Sequence, residues 1–388
     1  MNQEQRIILK MLEEGKITAD EAEALLNALK ESHPLEEDEK QSDVWSRIEK
    51  QGEEFAERVE IAAERFARSV EAKTDMRLTE KLSRLPKMLA KFPFIGQEET
   101  HEFIQEFRGS LSEEVTEIPI HLATSNGRIT VNGWDEPGYR LMVIQRIRGR
   151  DRDGARDRLY GVSWEDGEVA DQLHLEIPNL NDISVSLHLS VPRERQYSVE
   201  LRSYNGSLEV TNLDGTEVNL VTANGSTTLR QVRSKSVRGQ ISNGSCKMEQ
   251  VEASTIWYRV GNGSYKLFAV ADQFDCKSTN GSIHLQPLAV PNDSQIKLCT
   301  TNGSINVALP AWPDLGVAVE LQTSVGRVSS QLGQMEYSHN ERRGGGGYVM
   351  GRTADYENQT VKLSLEASTS SGSISVTSVG SGGEEYSV

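Results

Sequence analysis

The stretch YNGSLEVTNLDGTEVNLVTANGSTTLRQV, Tyr204 to Val232, carries the triplet Asn-Gly-Ser twice, at Asn205 and Asn224. The triplet returns at Asn243, Asn262, Asn280 and Asn302, so the spacings are 19, 19, 19, 18 and 22 residues. SNGRITV, around Asn126 and Gly127, is an earlier variant, and SVGRVSS and SSGSISV look like degenerate later copies. A nearly fixed period of this length marks a repeat architecture.

With Asn as position 1, the fourth position reads Leu208, Thr227, Cys246, Tyr265, Ile283 and Ile305. The sixth reads Val210, Leu229, Met248, Leu267, Leu285 and Val307. The ninth holds Leu213, Val232, Val251, Val270 and Leu288, then Pro310, and in the first three units the fourteenth holds Val218, Val237 and Ile256. Each unit is therefore expected to hold two short strands and two corners, with alternate residues facing inward.

The corner pairs are Asn126-Gly127, Asn205-Gly206, Asn224-Gly225, Asn243-Gly244, Asn262-Gly263, Asn280-Gly281 and Asn302-Gly303. A sharp corner needs positive φ, which Gly tolerates freely and Asn better than most. Two architectures share that need. In a β-solenoid each unit is one coil, and Asn or Ser side chains can form ladders from coil to coil. In an antiparallel β-meander, Asn-Gly is a type I′ hairpin turn. Near-constant unit length and apolar columns in register favour the solenoid. Each triplet is also a formal glycosylation sequon, but the turn reading uses all three residues. The regular Asp of calcium-binding coils is missing.

Before the repeat the period is helical. In RIILKMLEEGKITADEAEALLNALKES, Ile7, Ile8, Met11 and Leu12 form one stripe and Ala22, Leu25, Leu26 and Leu29 a second. Gly15 suits a C-cap, and Thr18 with Glu21 forms a capping box. After the acidic HPLEEDEK come Trp45, Ile48, Phe55, Val59, Ala62, Phe66 and Val70 at amphipathic spacing. RLTEKLSRLPKMLAKF then sets Arg77, Lys81, Arg84, Lys87 and Lys91 against an apolar face that includes Leu82, Leu85 and Met88. Such a basic amphipathic segment reads either as an ordinary solvated helix face or as a face for an anionic membrane interface or a partner, with Pro86 kinking or splitting it. From about Val115 the period changes to two, and no helical stretch interrupts the remainder of the chain.

The expected chain is α+β and multi-domain. A helical hairpin spans 1–32, an acidic linker and amphipathic helices span 33–110, and an all-β repeat domain spans 111–388.

Composition narrows the function. The 388 residues hold 42 basic and 58 acidic groups, a net charge of −16, which argues against nucleic acid as a partner because phosphate binding needs a basic surface. Cys246, Cys276 and Cys299 fit neither a disulfide framework nor a zinc site and read as small buried residues in a reducing compartment. No segment has the ~18 apolar residues of a membrane span. The N-terminus lacks the pattern of a signal peptide, so the expected location is cytoplasmic.

The seven histidines are dispersed with no metal-pair spacing, and no G-x-S-x-G elbow is present. GGGGYVMGRT, Gly344 to Thr353, approaches a phosphate-loop pattern, but Arg replaces its Lys and a strand-like pattern comes next where a helix is needed. It reads as a flexible glycine loop. No catalytic residue, metal site or cofactor is expected.

ILKMLEEGKITADEAEALLNAL resembles the short SHOCT-like helical module that begins YvlB/LiaX-type proteins of Gram-positive bacteria. The run from about Val115, with SNGRITVNGW and the repeated NGS, resembles the β-strand-repeat domain labelled a putative adhesin. The resemblance implies a non-enzymatic binding or regulatory protein of the envelope-stress response. Its N-terminal part would contact membrane, a membrane partner or a cationic peptide, and its repeat domain would act as a stiff platform for a signalling protein. The alternatives are a self-assembling homo-oligomeric scaffold, an adhesin-like surface protein exported without a signal, and, more remotely, a carbohydrate-active β-helix enzyme.

Overall fold

The computed structural model describes residues 99–164, 169–180, 182–312 and 314–379. The helical expectations for 1–98, including the basic segment from Arg77 to Phe92, lie outside the described residues; the rest of the expected helical region, 99–110, is not helical but part of the extended strand Glu99–Leu111.

Strands β1 (Glu99–Leu111), β2 (Glu117–Asn126), β3 (Ile129–Trp134) and β4 (Gly138–Gly149) come first. A five-residue helix α1 (Arg152–Arg156) follows, with Asp151 as N-cap accepting from the Gly154 amide. It is a small departure from the uninterrupted strands expected there. Then come β5 (Val169–Ala170), β6 (Leu173–Ile177), β7 (Ile183–Pro192) and β8 (Gln196–Asn205). The regular centre is β9 (Leu208–Asn224), β10 (Thr227–Asn243), β11 (Cys246–Asn262) and β12 (Tyr265–Asn280). Next are β13 (Ile283–Pro287), β14 (Ser294–Asn302), β15 (Ile305–Pro310), β16 (Leu315–Val325) and β17 (Val328–Gln331). β18 (Met335–Arg343), β19 (Gly346–Thr353), β20 (Val361–Ser371) and β21 (Ile374–Val379) complete the described chain.

The pairing decides between coil and hairpin. β9, β10, β11 and β12 pair in parallel, with Asn224 opposite Asn243 and Asn243 opposite Asn262. A meander would pair them antiparallel. The repeat is a β-solenoid, and each strand of the centre runs from one Asn-Gly corner to the next.

Two parallel ladders result. The ladder that leads into the corners runs in space β6, β2, β8, the C-terminal halves of β9 to β12, β14, β20 and β16. The ladder that leaves them runs β7, β3, the N-terminal halves of β9 to β12, β13, β15, β21 and β17. Sequence order is broken at both ends. The β6–β7 coil lies outside the β2–β3 coil, and the β20–β21 coil is inserted between β14–β15 and β16–β17. The last described coil is therefore paired on both edges, which protects a position where chains usually fray.

Antiparallel strands occur only at these ends among the described residues. β4 joins β7 and β1 joins β4 at one end, and β19 joins β16 and β18 joins β19 at the other.

Inside the coils the apolar columns stack in one core. Val218, Val237, Ile256, Phe274 and Ile296 occupy one register row and are all buried. In a neighbouring row Gly239 faces Tyr258, and a Cβ on Gly239 would meet the Tyr258 ring at 1.9 Å. The missing side chain in one coil is filled by the large one in the next. Tyr258 satisfies its hydroxyl by donating to Thr227 Oγ1 at 3.1 Å.

The second bend explains the uneven period. Asn212, Gln231 and Gln250 sit there with φ of +52°, +51° and +55°, each an extra residue skipped by the ladder. β12 lacks that residue, since Val251 faces Ala269 directly after Glu249 faces Phe268, and its unit shrinks to 18. Between β13 and β14 a loop through Val290 and Asn292 lengthens the next unit to 22.

Candidate interaction surfaces

The corner asparagines form a continuous ladder. Asn224 Nδ2 donates to Asn205 Oδ1 at 2.9 Å, Asn243 to Asn224 at 3.0 Å, and Asn262 to Asn243 at 2.9 Å. Asn280 and Asn302 extend it downward at 2.7 and 2.8 Å, and Asn205 donates to Asn126 at 2.8 Å. Each amide from Asn205 to Asn280 thus donates to one neighbour and accepts from the other. No corner Asn has positive φ; its place is fixed by this side-chain chain, not by backbone tolerance.

The glycines are needed for a related reason. A Cβ on Gly225 would lie 2.1 Å from Gly206 O, and one on Gly244 2.0 Å from Gly225 O. Gly244, Gly263, Gly281 and Gly303 also hold φ between +147° and +158°. Beneath them, Thr222, Ser278, Thr300 and Thr369 donate their hydroxyls to the glycine carbonyls of adjacent coils. The corner edge is closed by its own bonds, which leaves it little capacity for a ligand.

The opposite bend is different. A groove of about 540 Å³ runs along it, with Arg193 at one end and Leu288 at the other. Its wall carries the projecting Gln231 and Gln250 side chains, which make no side-chain hydrogen bond among the described residues. Asp214, Arg233 and Glu252 share one register row beside them, with Arg233 Nε 3.3 Å from Glu252. The row ends on Val270. Alternating charge, free amides and an apolar end make this the most receptive described flank of the coils.

On the outer face of β2, His121 lies between two carboxylates. Its Nδ1 is 2.9 Å from Glu200 and its Nε2 is 2.8 Å from Glu176, and its ring stacks on His174 at 4.8 Å. Both nitrogens meet acceptors, so the imidazolium satisfies the site. The Glu200 bond raises the His121 pKa against the opposing effect of burial. The same bond, with help from Arg202, holds Glu200 down at about 2. Sequence spacing could not show this contact, because β6 and β8 reach β2 only through the reordered coils.

This stack of coils has counterparts among known proteins. Residues 124–377 match the family model described as Toastrack DUF4097. The chain belongs to the Toastrack family. Residues 4–32 match a SHOCT-like domain. No curated protein matches. Similar solved structures include a protein from Clostridium sporogenes described as a putative cell adhesion protein, 11% identical, covering 72% of this chain and 100% of its own, with a TM-score of 0.22. A putative adhesin from Bacteroides fragilis is 12% identical, covers 71% and 97%, and has a TM-score of 0.35. Another from Parabacteroides distasonis is 9% identical, covers 72% and 98%, and also has a TM-score of 0.35.

Within the Toastrack domain the remaining candidates are structural. Cys246 and Cys276 are buried between coils, where burial pushes the Cys246 thiol up to about 12 and Cys276 well above its usual value, and Cys299 is half-buried. The glycine-rich stretch is a strand rather than a loop: Gly344 and Gly345 turn the chain and Gly346–Thr353 is β19. Gly346 is required by close backbone approach, since a Cβ there would meet Thr323 O at 2.3 Å. Among the described residues no group of three or more His, Cys, Asp or Glu could hold a metal, and no helix is long and apolar enough to cross a membrane.

Proposed function

We propose that this protein is a non-enzymatic interaction scaffold of the bacterial cell envelope, with the Toastrack solenoid as a stiff platform and the groove at its second bend as the binding flank. The observation that carries the reading is the contrast between the two bends. The Asn-Gly edge spends its amides and carbonyls on itself, whereas the groove leaves the Gln231 and Gln250 side chains without a hydrogen bond among the described residues, beside a row of alternating charges. A stack of backbone-paired coils keeps such groups at fixed spacing, which lowers the ordering cost of binding.

In this reading the SHOCT-like module and the basic segment with Arg77, Lys81, Arg84, Lys87 and Lys91 bring the platform to an anionic membrane or a membrane-bound partner from the cytoplasmic side. The role is that of a restraint or relay in the envelope-stress response, with a cationic peptide as the triggering ligand. Flotation of the full chain with anionic vesicles tests the membrane arm. Binding is expected, and it is lost when Lys81, Arg84 and Lys87 become Glu. Capture of purified envelope fractions tests the platform arm, with at least tenfold weaker retention expected for Arg233→Glu combined with Gln250→Ala. Retention unchanged by those substitutions, or turnover of an envelope glycan, overturns the reading. Labelling of the chain on intact cells would replace it with the adhesin-like surface role.

A further inference from the structure

We propose that the Toastrack domain stacks head to tail on further copies of itself, each end of the solenoid filling a step in the opposite end of its neighbour. The two ends are cut unevenly and in opposite senses. At the N-terminal end the ladder leaving the corners is two full strands longer than its companion, through β4 and β1, and the two-residue β5 covers only Ser110 and Leu111 of the β1 edge. At the C-terminal end the ladder entering the corners is two strands longer, through β19 and β18. In a head-to-tail stack the β1–β4 flap of one copy occupies the step above β17 of the next, and the β18–β19 flap occupies the step beside β6. Along the part of β1 that faces β17, from Gln105 to Arg108, the steps and the flaps have the same height in strands.

Direction and register agree as well. β1 is antiparallel to β4, which is antiparallel to β7, so β1 runs with its own ladder. β18 regains the direction of β16 in the same way. The row through Val143, Leu187, Ile129 and Leu208 places Gln105 at one end of the molecule, and its continuation through Ile305 and Ile374 places Val328 at the other. The joint sets Ser329 beside Glu106 and Ser330 beside Phe107. In the companion ladder Tyr337 and Leu173 end a common row, through Gly351 and Val319 on one side and Ile120 on the other.

The surface is consistent with a covered joint. Among the described residues, five of the eight exposed large apolar side chains belong to the ends: Ile104 and Val169 at one, Val325, Tyr337 and Met350 at the other. The step over β17 is an open recess of about 1060 Å³ beside Val325, Val328 and Tyr337. The charged residues of β1 and β18 keep isolated edges soluble and the joint reversible. The contact joins two different surfaces and generates an open chain, not a closed dimer.

The test uses the full chain carrying Glu106→Cys and Ser329→Cys, with Cys299→Ser to remove the half-buried thiol. Mild oxidation is expected to give a ladder of dimer, trimer and higher species on a non-reducing gel that collapses with reductant. Pairing Glu106→Cys with Ser375→Cys, one strand deeper, is expected to give none. Independently, Ile104→Lys and Tyr337→Lys, both at exposed positions, are each expected to abolish sedimenting species above monomer. Their mixture is expected to recover a dimer, because each retains one intact end. A monomeric parent at every concentration, a cross-link equally strong for the displaced pair, or a parent that stops at a dimer overturns the proposal. Arg233→Glu lies outside the joint and leaves assembly unchanged.

Discussion

Between Asn205 and Asn262 each corner glycine rests on the carbonyl of the glycine in the coil before it, and each corner amide bonds to the next. At the two ends, through β4 and β1 and through β19 and β18, the ladders turn antiparallel, the period dissolves and apolar side chains reach the surface. Backbone strand pairing serves both regions, parallel in the middle and antiparallel in the flaps, but the middle is specified by identical contacts repeated and the ends by individual ones. A repeated contact propagates any error to its neighbours. An individual contact can vary, and it is at the ends that the molecule is shaped to meet something else.

The largest test of this contrast is glycine replacement. Gly244→Ala brings a Cβ to 2.0 Å from Gly225 O at a φ of +147°. It is expected to destabilise the domain by about 3 kcal/mol or more in urea unfolding. Gly333→Ala, between β17 and β18 with nothing within 4 Å, is expected to stay within about 0.5 kcal/mol of the parent. Equal effects at the two sites would remove the distinction between middle and end.

A smaller effect is expected from the amide ladder. Asn243→Ala deletes one donated and one accepted bond, at 3.0 and 2.9 Å, and is expected to cost about 1–2 kcal/mol. Asn126→Ala, whose outer bond to Asn179 is stretched to 3.5 Å, is expected to cost less when both are measured by urea unfolding. A ladder that contributes nothing would leave both variants at the parent midpoint.

The smallest effect belongs to the reordered N-terminal coil. His121 has a raised pKa when folded, so its contribution is complete below its ordinary value of 6.5 and fades as pH rises through the raised one. Glu200, held at about 2, contributes above the usual carboxylate range and loses that contribution as pH falls toward 2. Because the site is partly open to solvent, His121→Gln is expected to cost about 1 kcal/mol or less near pH 5.5 and little near pH 8.5. A loss independent of pH in parallel melts would mean that packing, not charge, holds the three strands.

The triplet at Asn205, Asn224 and Asn243 made the coil legible because each coil repeats one set of steric demands, and a repeated demand leaves a period in the chain. The missing residue in β12 is legible in the same way, as a spacing of 18 instead of 19. The role of the asparagines was less visible, since positive φ and an amide ladder select the same residue type. His121, Glu176 and Glu200 left no signal because three separate strands bring them together. The groove lay hidden for a similar reason: Gln231 and Gln250 look like ordinary polar residues until the ladder is seen to skip them.

By itself, then, the amino-acid sequence determined the period, the inward columns and the corner residues of this Toastrack solenoid, because those depend on neighbours one coil away. The tertiary structure alone decided the order in which the end coils stack, the antiparallel flaps that step each end, and the contacts of His121. Those depend on pairing between segments distant in the chain, and strands of similar alternation carry no local mark of which partner they will take.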